Sequence, residues 1–201
     1  MPDRKITLHP HKKNIAYLQY RGEQQPILYY PQGIYDKALI KAYQQLDNLF
    51  TYYSKVTVIL LQLHQHQYTQ YDNAQLTQFL EKLKAKLKAM YGSSRICYAW
   101  AREEGNDNSN LHYHITFMIN GSVCLNGYNT NLWAKEIWLG LDANNRIWHV
   151  TRGSFLVKRL GDEAQLRNAR MRISYAAKKR SKLTIATGVK KFGFSRLKAK
   201  F

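Results

Sequence analysis

The sequence predicts an α+β domain in which helices flank a mainly antiparallel central sheet. Apolar residues recur at helical spacing in separate segments, and β-branched and aliphatic runs lie between them. Two neighbouring strand patterns are also joined by Gly105 to Asn110, a turn-rich linker suited to an antiparallel hairpin. At 201 residues the chain is most simply one domain over 1–201, long enough to bury a real core.

Residues 1–34 carry turn signals at His9-Pro10-His11 and Gln25-Pro26 but no clear period, so they read as a less regular N-terminal arm or short strands without chemistry. From Tyr35 to about Tyr53, Leu39, Ala42, Tyr43, Leu46, Leu49 and Phe50 recur at helical spacing, and Val56 to Leu63 follow as a buried strand. Asp72 or Asn73 can cap the next helix. Its stripe is Leu76, Phe79, Leu80, Leu83, Leu87 and Met90, and Gly92 stops it. Strands are expected at 95–104 and 111–120, a helix from Asn131 to Leu141, a strand around 146–158, and a helix from Asp162 to Lys182.

Lys plus Arg number 31 against 13 Asp plus Glu, a formal charge of +18. Such an excess attracts polyanions through counterion release and steering, which makes nucleic acid the expected partner. Ribosomal or membrane-surface association would produce similar charge, but 45% apolar and 13% aromatic content fit a folded, enzyme-like domain better than a basic tail. Cys97 and Cys124 are too few for a disulfide framework and fit a reducing compartment. No basic-then-apolar leader opens the chain, and the apolar run near Val58 to Leu61 is far short of a membrane span. A cytoplasmic protein without a membrane partner is the expectation.

Three His-x-His triplets occur, so spacing alone does not choose between them. His9 and His11 flank a proline in the arm, and His64-Gln65-His66 ends a strand and runs into a polar segment. Only His112 and His114 open an unbroken strand, where a period of two holds both rings on one face. Tyr113, Ile115, Phe117 and Ile119 form the bulky face and match Ile96, Tyr98 and Trp100 on the preceding strand. The opposite face carries His112, His114 and Thr116 beside Ala99, Ala101 and Glu103, so Glu103 is the expected third ligand. A one-residue bulge would exchange it for Glu104. Two imidazoles and one carboxylate leave open coordination positions and suit Mn²⁺ or Mg²⁺. They lack the thiolates of structural zinc, and non-haem iron sites use the same set.

In the expected helix 162–182, Tyr175, Lys178 and Lys182 share one side, an arrangement in which a phenol can attack phosphorus while ammonium groups hold neighbouring phosphates. Trp133, Trp138, Trp148 and Phe155 are candidates either for base stacking or for the core.

Taken together, Trp100 to Glu104, His112-Tyr113-His114 with the apolar run to Asn120, Ser174 to Lys178 with Ser181 and Lys182 beyond, and Phe192 to Arg196 resemble the HUH single-strand endonucleases. More closely, they resemble the YagK/YfjJ C-terminal and inovirus replication-initiation family, over roughly 55–197. The resemblance implies a Rep-like HUH core and rolling-circle initiation for a phage or mobile element. It assigns His112, His114 and Glu103 to a divalent metal, Tyr175 as nucleophile and Lys178 as the motif lysine. A metal-dependent nickase and strand transferase acting through a 5′-phosphotyrosyl link is implied, with single-stranded or hairpin origin DNA as substrate. Because no P-loop occurs, strand opening is expected from a host helicase and replication machinery in a bacterial cytoplasm. Lys179, Lys182 and Arg196 are candidate DNA contacts, with a structural turn around Gly193 as the alternative role for the last segment. Competing readings are a non-cutting origin-binding regulator on the same fold and an RNA-processing or phosphodiesterase enzyme sharing the histidine face.

Overall fold

The structure, a computed structural model, describes residues 5–66, 72–104, 110–180, 182, 185 and 187–200. Residues 1–4 of the arm, the linker over 105–109 and Ser181 lie outside the described residues. The architecture is α+β, with helices on both faces of an antiparallel sheet.

Of the two expectations for the N-terminal segment, an irregular arm or short strands, it takes the second: a three-stranded antiparallel sheet of β1 (Ile6–Leu8), β2 (Ile15–Tyr20) and β3 (Glu23–Leu28). Its period is weak because only Ala16, Leu18, Tyr20 and Ile27 are buried apolar residues. Pro26 is tolerated because β3 is an edge strand, where a missing ladder donor costs little.

The remaining elements are α1 (Asp36–Phe50), β4 (Lys55–His66), α2 (Ala74–Tyr91), β5 (Cys97–Glu104), β6 (Asn110–Asn120), α3 (Tyr128–Leu139), β7 (Asn145–Trp148), β8 (Ser154–Lys158), α4 (Glu163–Ser174) and β9 (Phe192–Phe194). The large sheet runs β7-β4-β6-β5-β9, and β8 pairs with β4 beyond β7. The strand expected at 146–158 is thus two strands. Their break contains Arg152 at φ 50 and Gly153, where the carbonyl oxygen of Val150 leaves no room for a Cβ. Gly92 stops α2 as expected, in the left-handed conformation at φ 61 with its N–H donating to the Lys88 carbonyl.

The sheet separates two apolar layers. Tyr113, Ile115, Phe117 and Ile119 pack with Trp100 beneath α2 and α3, whereas Val56, Val58, Leu60 and Met118 face α1, α4 and the small sheet. β4 therefore buries both faces, which explains its unbroken run of aliphatic residues.

The helix expected to reach Lys182 ends at Ser174 and is followed by a single 3-10 turn, Tyr175–Ala177. The segment before α1 captures the backbone at this point. Tyr35 N–H donates to the Ala177 carbonyl at 2.8 Å, and Lys179 N–H donates to the Gly33 carbonyl at 3.0 Å. An isolated bridge joins Ile34 and Lys178. Gly33 makes this approach in the left-handed region at φ 81, closing a turn onto the Tyr30 carbonyl. The N-terminal region thus fixes where Lys178 sits.

Candidate metal centre

Strands β5 and β6 pair without a bulge, setting Glu103 opposite His112, Ala101 opposite His114 and Ala99 opposite Thr116. The alanines leave space above the sheet, and Glu103, His112 and His114 form a group able to hold a metal ion, with ligand atoms all within 4.8 Å of one another. Glu104 faces the other way. It accepts from Arg102 Nε at 3.0 Å, while Arg102 Nη1 donates to the Asp72 carbonyl at 2.5 Å, tying the sheet to the start of α2.

The two oxygens of Glu103 have different partners. Oε2 lies 3.2 Å from His112 Nε2, His114 Nε2 and Lys178 Nζ, and Oε1 accepts from Lys182 Nζ at 2.6 Å. Burial alone would raise the Glu103 carboxyl, but the imidazoles of His112 and His114 and the Lys182 ammonium outweigh it and hold the group far below the usual carboxylate range. Burial likewise lowers His114, with Glu103 opposing. The buried Nε2 of His114 makes no hydrogen bond. A buried ring nitrogen 3.2 Å from an ionised carboxylate oxygen, with a second imidazole on the same oxygen, is what a borderline or hard divalent cation requires, so these residues fit a metal.

Tyr175 caps α4 with its ring edge-on to His114, centroids 5.0 Å apart, and Lys178 Nζ lies 3.6 Å from the Tyr175 ring centroid. A cavity of about 310 Å³ opens beside them, lined by Gln62, His114, His149, Thr151, Arg172 and Tyr175 among others. The structure thus brings Glu103, His112, His114, Tyr175 and Lys178 together. A match to the YagK/YfjJ C-terminal domain covers residues 20–195.

The chain belongs to the YagK/YfjJ C-terminal domain family.

No curated protein and no solved structure matches it.

In this YagK/YfjJ-type domain the expected DNA contacts are placed differently from one another. Lys182 is fully buried and turned inward, donating also to the Lys178 carbonyl at 3.0 Å, so its ammonium faces Glu103 and not the surface. Burial pushes Lys182 down to about 8, with Glu103 pulling the other way. Lys179 is half-buried with Nζ 5.7 Å from the Tyr35 ring centroid. Arg196 is exposed and lines a separate groove of about 1050 Å³ with Lys41, Lys84 and Lys190, away from the triad. Gly193 belongs to β9 rather than a turn. It lies opposite Trp100, and a Cβ there would fall inside the indole.

His64, set aside with its triplet as the end of a strand, lies beside the metal group. It pairs with His112 across β4 and β6, its ring stacks on that of His112 at 5.1 Å, and Gln62 beside it pairs with His114. The available signal was the period-two series Gln62, His64, His66 continuing the strand. Within the YagK/YfjJ-type domain no described helix is long and apolar enough to cross a membrane.

Proposed function

We propose that this protein is a metal-dependent, tyrosine-based endonuclease of the HUH type that nicks and rejoins single-stranded DNA, as a rolling-circle initiator of a phage or mobile element does. The observation that carries this is the convergence of the Glu103, His112 and His114 group with Tyr175, whose ring touches His114, in a chain of formal charge +18. Mn²⁺ or Mg²⁺ suits the ligand set, and a bound divalent ion would supply Lewis-acid polarisation of a phosphate oxygen.

The protein's own groups perform the rest. Tyr175 Oη forms a bond to phosphorus as the bond from phosphorus to the 3′ oxygen breaks. The phenolic proton is lost and a proton is returned to the leaving oxygen, giving a free 3′-hydroxyl and a 5′-phosphotyrosyl ester. Lys178 places its ammonium against the Tyr175 ring, where it draws in the phosphate, and the 310 Å³ cavity with Arg172 gives the flanking nucleotide room. The sequence contains no nucleotide-driven motor motif, so a host helicase and the replication machinery are the proposed partners on single-stranded or hairpin origin DNA in a bacterial cytoplasm.

One observation favours the alternative, a non-cutting origin-binding regulator: Glu103 is already paired with two ammonium groups, Lys178 and Lys182. Labelled single-stranded and hairpin oligonucleotides incubated with Mn²⁺ and resolved on a denaturing gel separate the two. An adduct that is lost with EDTA and with Tyr175→Phe supports the nickase. Absence of any adduct across a broad sequence pool, with binding retained, supports the regulator.

A further inference from the structure

The ligand His112 begins a column of rings that leaves the metal group and ends at the surface. His64 stacks on His112 with centroids 5.1 Å apart and planes 18° apart, and Trp148 stacks on His64 at 4.0 Å and 22°. The register explains the alignment. Trp148 pairs with Gln62 and Arg146 pairs with His64, so all four side chains share the face that carries His112 and His114. His64 is 5% exposed, whereas Trp148 is 57% exposed. One side of the indole is covered by His64, so that exposure belongs to its other face and edges.

Single exposed apolar side chains are ordinary, but an indole held face to face on a buried ring in line with the metal group offers a fixed, open π-face, and its surroundings state what fits. Arg146, one position along the same face, is exposed, and the chain as a whole is strongly basic. Trp138, by contrast, is fully buried, its Nε1 donating to the His64 and Arg146 carbonyls, and so serves the core.

We infer that Trp148 is a stacking platform for one unpaired nucleobase of the DNA strand, two ring contacts away from His112. The inference rests on the single-stranded-DNA reading given above, but not on cleavage. An open indole accepts any base through its π-face, while bases inside a duplex are already stacked and cannot reach it. The column therefore couples the strand's path to the metal group: a base on Trp148 continues the stack that His64 and His112 begin.

The test compares the wild type with Trp148→Ala, Trp148→Leu and Trp148→Phe, all in EDTA so that no cleavage contributes. Binding is measured by anisotropy on labelled oligo-dT, on an abasic oligomer of equal length and on a duplex, with thermal melts reporting folding. Loss of the aromatic face weakens oligo-dT binding about tenfold in the Ala and Leu variants. It leaves the abasic oligomer and the duplex unchanged, and Phe retains most of the affinity. Equal loss on the abasic oligomer, or no loss on oligo-dT from a folded Leu variant, overturns the platform. A selective loss in a protein that forms no tyrosyl adduct leaves the platform standing while removing the nickase.

Discussion

Lys182 Nζ lies 2.6 Å from Glu103 Oε1 with neither side chain reaching solvent, so the carboxylate is clamped by one oxygen and presents the other to His112 and His114. The clamp is structural in origin and directional in effect. Removing it leaves a buried carboxylate with one partner fewer. Lys182→Met is expected to lower unfolding stability by about 3 kcal/mol in urea titrations at neutral pH. A loss below about 1 kcal/mol would show that Lys178 and the imidazoles suffice to hold Glu103.

Lys178 competes with a cation for the same carboxylate oxygen, since its Nζ is 3.2 Å from Oε2. A unit charge that close repels a divalent ion by several kcal/mol even at high effective dielectric. Lys178→Met is therefore expected to tighten Mn²⁺ binding by about tenfold or more, read as a larger metal-induced rise in Tm, while adduct formation slows. His114→Ala should abolish the Tm rise. Equal Mn²⁺ affinity in the wild type and Lys178→Met would mean that the ammonium moves away at no cost.

Stability should fall with acid in two stages. His64 is pushed down to about 4, first by burial and then by the neighbouring rings of His112, His66 and His114. An unfolded histidine titrates near about 6.5. Between those values the unfolded chain takes up a proton that the folded chain refuses, so the contribution is complete above about 6.5 and is lost as the pH falls toward 4. Glu103 is depressed, so its contribution is present above the ordinary carboxylate value and disappears only at lower pH. Urea midpoints taken from about pH 7.5 down to about pH 5 should drop in the wild type and drop less in His64→Gln. Parallel curves would rule His64 out as the source.

Gly193→Ala is expected to cost about 1–3 kcal/mol, because the added methyl meets the Trp100 indole across the β5–β9 pair. Denaturation midpoints of this variant and of Gly188→Ala separate packing from backbone freedom. Gly188 has a positive φ but open space around it. A Gly193→Ala protein as stable as the wild type would mean that β9 shifts without loss.

Local pattern carried much of this fold. The alternation Tyr113, Ile115, Phe117, Ile119 against Trp100 fixed the faces of β5 and β6, and with no bulge the parity of Glu103 followed. Nonlocal pairing was not legible. That β4 lies beside β6, bringing His64 to His112, depends on sheet order that no local period encodes. The end of α4 depends on backbone bonds from Gly33 and Tyr35, far away in sequence, and so the inward turn of Lys182 could not be read from helical spacing. Short strands were one of two open readings for residues 1–34, and their bounds and pairing stayed hidden because Pro26 and sparse apolar positions mask a short sheet.

The pairing of β9 over Ala99 to Ala101 has a consequence for how the chain is made. During synthesis the outer edge of β5 stays unpaired over those residues until Phe192–Phe194 has left the ribosome, long after the rest of the sheet can assemble. Translation that stalls before this point, or proteolysis that removes it, leaves a strand edge open to a second copy of the chain. This three-residue strand therefore separates a closed sheet edge from an aggregation-prone one.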